Sequence, residues 1–259
     1  MPSKFLAALN SLNLFGSLQK IGKALMLPVA VLPVAGLLLG IGSAHFGIIP
    51  VQVSSIMKAS GDVIFGNLPL IFAIGVALGF TDNDGVAAIA ATVGFVVMNA
   101  TLGVMAGLFK VTPSLVMGIP AMDTGVFGGI LAGGLAAFMF KHFYRITLPT
   151  YLGFFSGKRF VPIITAMGAI ALGVALSFLW PPVQRGINLF SHWAAVGSPR
   201  SAATVYGLVE RLLLPFGLHH IWNVPFFFEM GTFKGSAGRM VSGDINRFFA
   251  GDPTAGILA

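Results

Sequence analysis

GVAAIAATVGFVVMNATLGVMAGLF, residues Gly85–Phe109, runs through twenty-five positions without a charge. A helix crossing the hydrocarbon core of a bilayer needs about 20 such residues. The stretch is one of a series. Val63–Thr81, Thr124–Phe140, Phe160–Gln184 and Leu212–Phe228 are also charge-free, and Ala24–Gly42 lies in the apolar run between Lys23 and Lys58. A soluble protein of 259 residues can hold one such segment, but a series of them describes a polytopic membrane protein.

Composition agrees. Hydrophobic residues make up 56% of the chain and charged residues 9%, against about 25% charged in soluble domains. The 34 glycines and 15 prolines would disrupt soluble helices, whereas membrane bundles use both for close packing and deliberate breaks. The expected fold is all-α, a polytopic membrane helix bundle. The first apolar run lies too far inside the chain, with too many spans after it, for a cleaved signal peptide.

Charge placement orders the spans. Phe5, Leu6, Leu9, Leu12, Phe15 and Leu18 recur at helical spacing, so residues 1–23 are expected to hold an amphipathic helix on the membrane surface. Lys20 and Lys23 then place the start of the first span in the cytoplasm. Five spans follow by alternation, at about 24–42, 63–80, 86–109, 124–140 and 160–181. Residues 43–62 fall outside, and Asp82-Asn83-Asp84-Gly85 forms an inner turn with capping residues for the next helix. Asp123 is expected to cap the fourth span. Lys141, Arg145, Lys158 and Arg159 cluster in one loop, which the same alternation places inside. Pro181-Pro182 is expected to end the fifth span. Residues 183–197 then read as a separate interfacial helix, and 201–228 as a helix broken at Pro215 and Gly217.

The net charge of +7 does not indicate nucleic-acid binding, because the basic residues are few and sit at the ends of apolar runs. No cysteine is present, which excludes disulfides, thiolate metal sites and thiol nucleophiles in this chain. No His-x-x-x-His or Gly-x-Ser-x-Gly spacing occurs either, so neither a metal centre nor a hydrolase elbow is expected, and no cofactor is assigned.

Chemistry concentrates late in the chain. Glu210, Arg211, His219, His220, Asn223 and Glu229 fall within twenty residues, with Trp222 among them. A sugar is uncharged but rich in hydroxyls, and its site needs donor forks, mixed donor–acceptors and an aromatic face. Arg211 supplies the fork, each neutral histidine offers one donor and one acceptor, and Trp222 offers a ring. Pro215 and Pro225 free backbone groups to line a cavity. Other readings stand beside this one: Arg211 as a partner of Glu210 or an anchor at the headgroups, the histidines as packing residues, Trp222 as an interface anchor. Lys158 and Arg159 read as topology charges whose position also suits a phosphorylated product or an acidic partner.

These segments also resemble a family. Leu18–Pro33, Pro69–Phe80 with the following Asp82–Gly85, Leu152–Ile163, Glu210–Phe226 and Gly251–Gly256 are similar, in order, to the membrane domain (enzyme IIC) of glucose-type phosphotransferase-system permeases. They are closest to the glucose-specific branch. The resemblance implies a homodimeric permease in the bacterial inner membrane that imports glucose or a related hexose and delivers it phosphorylated at the 6-hydroxyl. The phosphate comes from phosphoenolpyruvate through IIA and IIB phosphocarrier domains. It implies a scaffold half at 24–182 and the start of a sugar-binding half at 183–259. It also implies that Arg211 and His219 contact the sugar, with His220 and Asn223 as further candidates.

Such a chain is part of a protein-Nπ-phosphohistidine–sugar phosphotransferase. The family continues into a Gly-Ile-Thr-Glu-type motif whose Glu contacts the sugar, and into a Cys-bearing domain. Neither is present here, so the chain is expected to be a C-terminally truncated enzyme IIC, inactive alone. Two alternatives carry different expectations. A facilitator or ion-coupled transporter would titrate Glu210 or Glu229, and a non-transporting scaffold would bind an intact partner.

Overall fold

The computed structural model describes residues 14–44, 46–192, 199–214, 232–235 and 240–255. Helix α1 (Leu14–Val29) leads after a two-residue break into α2 (Leu32–Ala44). Then come α3 (Val51–Gly66), α4 (Leu68–Phe80) and α5 (Gly85–Phe109). A hairpin of β1 (Ser114–Val116) and β2 (Ile119–Ala121) precedes α6 (Gly125–Phe143). Two 3-10 turns, Thr150–Phe155 and Gly157–Arg159, lead into α7 (Phe160–His192). Helix α8 (Pro199–Leu213), a hairpin of β3 (Thr232–Lys234) and β4 (Met240–Ser242), and the short α9 (Asp244–Phe249) complete the described residues.

Among the described residues, four segments are long and apolar enough to cross a membrane: Gln19–Ala44, Gly85–Phe109, Gly125–Phe143 and Gly157–Ile187. The pair α3 and α4, bent by 56° at its break, passes the same test together and adds a fifth where the two form one span. The all-α polytopic bundle expected from the charge-free runs is the observed architecture.

Close contacts at small residues fix how the crossings run. Gly75 lies against Pro28 and Gly79 against Ala24, so α4 is antiparallel to α1. Gly129 sits on the Pro69 carbonyl and Gly133 on the Ala73 carbonyl, so α6 is parallel to α4. Gly94 faces Thr165 and Gly173 faces Thr101, so α7 is parallel to α5. The directions alternate along the chain as five successive crossings require. A Cβ on Gly133 would overlap the Ala73 carbonyl oxygen. Lipid tails are as apolar as leucine, so such backbone proximity supplies the packing energy that the hydrophobic effect supplies in water. The core reflects this, with Ala73, Ala90, Ala91, Ala132 and Ala136 all fully buried around Phe95, Met98 and Leu102.

Polar side chains inside the bundle turn back on their own helices. Thr81, Thr92, Asn99 and Thr101 donate to the carbonyls four residues earlier, at 2.7–3.0 Å. This limits the cost of carrying them in an apolar environment.

Three expectations need correction. Residues 43–62 are not simply an outer loop, because Val51–Gly66 is helix α3, packed along α2 with Gly42 on the Lys58 backbone and Gly61 on Leu39. Lys58 and Asp62 interrupt the apolar run and hide this helix, while its small residues Ser54 and Gly61 form the buried seam. The second span is therefore α3 plus α4, and the Asn67 side-chain amide donates to the Val63 carbonyl (2.7 Å) at the break. Second, Pro181-Pro182 does not end the fifth span. Helix α7 continues through both to His192, so residues 183–192 belong to it and not to a separate interfacial helix. At about 1.5 Å per residue a helix of 33 residues outruns the roughly 30 Å hydrocarbon core. Third, α1 runs unbroken past Lys23, so no boundary separates a surface helix from the first span there. The expected surface residues 1–13 lie outside the described residues.

One further expectation holds: Asp84 caps α5, its Oδ1 accepting from the Val86 N–H at 3.0 Å. Asp123 is not the cap of α6; Thr124 takes that position without a side-chain cap bond, and Asp123 accepts from the Gly125 N–H at 2.9 Å from one residue earlier.

Candidate functional site

Arg211 lies in the last turn of α8 and is exposed. It forms no ion pair with Glu210, so the pairing weighed from sequence is not what the structure contains. The neighbouring carboxylate acts elsewhere. Tyr206, one turn back, has its phenol pushed up to about 12, first by burial and then by the Glu210 charge. Helix α8 presents Val205, Leu208 and Leu212 as an exposed apolar stripe. With 15 residues it is too short to cross a bilayer alone. The helix ends at Leu213, and the expected break at Pro215 and Gly217 lies outside the described residues. His219, His220, Trp222, Asn223 and Glu229 lie outside the described residues.

Lys158 and Arg159 can be followed in full. Lys158 donates to Asp84, joining the 144–159 loop to the cap of α5. That ammonium and the Val86 N–H hold the Asp84 carboxyl below the ordinary carboxylate range, against the opposing effect of partial burial. Arg159 donates to the Phe154 carbonyl at 3.2 Å and stacks 4.8 Å over the Phe154 ring. Gly157, at φ +68°, lets its N–H reach the Ile146 carbonyl at 2.8 Å, and Ser156 Oγ accepts from Leu148 N–H. Both basic residues thus shape one folded loop. Tyr144 and Lys158 of that loop help line an open cleft of about 710 Å³ together with Phe80, Thr81–Gly85, Phe140 and Lys141.

Sequence reading did not single out a second constellation. Asp252 Oδ2 accepts from Arg247 Nε at 2.8 Å and Nη2 at 2.7 Å, while its Oδ1 accepts from the Thr254 N–H and hydroxyl at 2.8 and 2.7 Å. The Thr254 hydroxyl first, then its N–H and Arg247, keep the Asp252 carboxyl below its usual range. The Gly-Asp-Pro-Thr run was the signal: a carboxylate two residues before a threonine is poised for such a turn. The spacing gave no hint of Arg247. Among the described residues no group of His, Asp and Glu could hold a metal ion.

Four to five apolar crossings among the described residues, tight small-residue seams and basic loops gathered at one end define a polytopic all-α membrane protein. Residues 22–259 match the family described as Phosphotransferase system, EIIC, and the chain belongs to that family. It is a membrane component of a phosphotransferase-system sugar permease, with a sugar as substrate and IIA and IIB domains as partners.

Proposed function

We propose that this chain takes glucose across the bacterial inner membrane and holds it for phosphorylation at the 6-hydroxyl. The observation that carries this reading is the family match over residues 22–259, with the order of glucose-branch segments supporting the sugar. Arg211, His219, His220 and Asn223 are the proposed sugar contacts. An exposed Arg211 in the last turn of α8 supports that role. The chain has no cysteine, so the phosphocysteine belongs to the IIB partner. In the transfer its S–P bond breaks, an O6–P bond forms and the O6 proton passes to a base.

Orientation follows from charge. Lys20, Lys23, Lys141, Arg145, Lys158 and Arg159 all lie at the end of the bundle that holds the Asp82–Gly85 turn. The positive-inside rule makes that end cytoplasmic, with the N-terminus inside. The IIB domain approaches from the same side. We propose a homodimer assembled through the scaffold half, 24–182, with 183–259 carrying the sugar.

The test is uptake of labelled glucose into vesicles, with and without phosphoenolpyruvate and the soluble carriers. Sugar should accumulate only with both, and only as the phosphate. Uptake abolished by a protonophore while phosphoenolpyruvate remains available would point instead to ion coupling.

A further inference from the structure

The basic end of the bundle holds more charge than the Lys158–Asp84 pair uses. Beside that pair, between the 20–27 stretch of α1 and the C-terminal ends of α4 and α6, lies a cleft of about 550 Å³. Lys20, Lys23 and Lys141 stand on its rim, all exposed. They come from two helices far apart in the chain, and none makes an ion pair with another described residue. Lys141 lies 5.5 Å over the Phe80 ring, which holds its ammonium at the mouth. Asp82 also lines the cleft; three ammonium groups against this one carboxylate leave two positive charges. Below the rim the walls turn apolar, with Ala24, Leu27 and Leu78.

Depth gives this arrangement its meaning. Lys20 and Lys23 open the apolar segment Gln19–Ala44, and Lys141 closes Gly125–Phe143. The rim therefore lies at the level of the lipid headgroups and the apolar walls lead into the hydrocarbon. Basic pockets between membrane helices bind anionic headgroups. A small phosphate would use the rim and leave the apolar walls bare. A phospholipid uses both, its phosphate against the lysines and an acyl chain along Leu27 and Leu78.

We propose that the cleft between α1, α4 and α6 is a binding site for an anionic phospholipid with a phosphodiester headgroup. The site does not depend on which sugar the permease carries.

Native mass spectrometry of delipidated protein, titrated with phosphatidylglycerol or phosphatidylcholine, tests this. Phosphatidylglycerol should be retained and phosphatidylcholine lost. Each of Lys20→Gln, Lys23→Gln and Lys141→Gln should weaken retention about fivefold. Lys110→Gln, at the far end of α5, should leave it unchanged. Asp82→Asn should strengthen it, and asparagine tolerates the left-handed backbone at this position (φ 52°). Excess inorganic phosphate should leave the lipid bound. Unfolding midpoints in phosphatidylcholine micelles verify that each variant is folded. Equal retention of the two lipids, wild-type retention in all three lysine variants, or weaker retention in Asp82→Asn would overturn the proposal. Displacement by inorganic phosphate would overturn it too, by marking a small-anion site.

Discussion

Arg211 ends α8 with its guanidinium exposed and no carboxylate partner in Glu210. A charged hydrogen-bond donor to a sugar hydroxyl is worth about 1.5–3 kcal/mol, so Arg211→Ala should weaken sugar binding roughly tenfold to a hundredfold. Isothermal titration with intact permease checks this, and His219→Ala tested separately should show a similar loss. Unchanged affinity in both would remove these contacts and leave the family membership standing. At the other end, Lys158→Ala removes the partner that depresses Asp84. An exposed pair of this kind contributes about 0.2–1 kcal/mol. The sign follows from the depressed carboxyl. Its stabilisation is present above the ordinary carboxylate range and is lost as pH falls through the folded-state value. Unfolding midpoints of wild type and Lys158→Ala should therefore differ at neutral pH and converge in acid. A gap that stayed constant would show that the ion pair is not its source.

At the scale of elements, α4 and α6 meet in a close seam of small residues. Gly133→Ala forces a methyl into the Ala73 carbonyl, whereas Gly134→Ala meets nothing within 4 Å. Overpacking costs about 1–3 kcal/mol, so the first should lower the midpoint of unfolding in mixed micelles. The second should be neutral or slightly stabilising. Trp180→Phe should cost about 1 kcal/mol by removing the 2.8 Å bond from its indole N–H to the Asp123 carbonyl, which ties α7 to the start of α6. Sequence reading found the crossings wherever apolar residues run unbroken, because a bilayer demands that of a lone helix. It missed α3 because Lys58 and Asp62 break the run, while the seam to α2 rests on Gly42, Ser54 and Gly61, whose small size leaves no hydropathy signal. It stopped α7 at Pro181 on a rule taken from water, although the helix continues beyond the apolar segment. Arg211 drew notice as a charge beside an apolar stretch, while His219, His220 and Asn223 lie outside the described residues. Partners across the bundle leave no trace in local spacing, as the Lys158–Asp84 pair shows.

The whole molecule makes a topological claim. Ile48 and Leu115, both highly exposed, lie at one end of the crossings, and Tyr151, 82% exposed, at the other. The absence of cysteine makes single-cysteine labelling clean. Ile48→Cys and Leu115→Cys should react with an impermeant maleimide added to intact cells, and Tyr151→Cys only after the membrane is opened. The reverse pattern would invert the orientation and place IIB docking at the other end. The central claim is that sugar crosses this bundle coupled to phosphoryl transfer. Its most direct measurement is the chemical form of labelled glucose inside vesicles that hold the permease, its IIA and IIB domains and the soluble carriers. Glucose 6-phosphate that appears only when phosphoenolpyruvate is supplied is the expected result. Free glucose accumulating without phosphoenolpyruvate would contradict it.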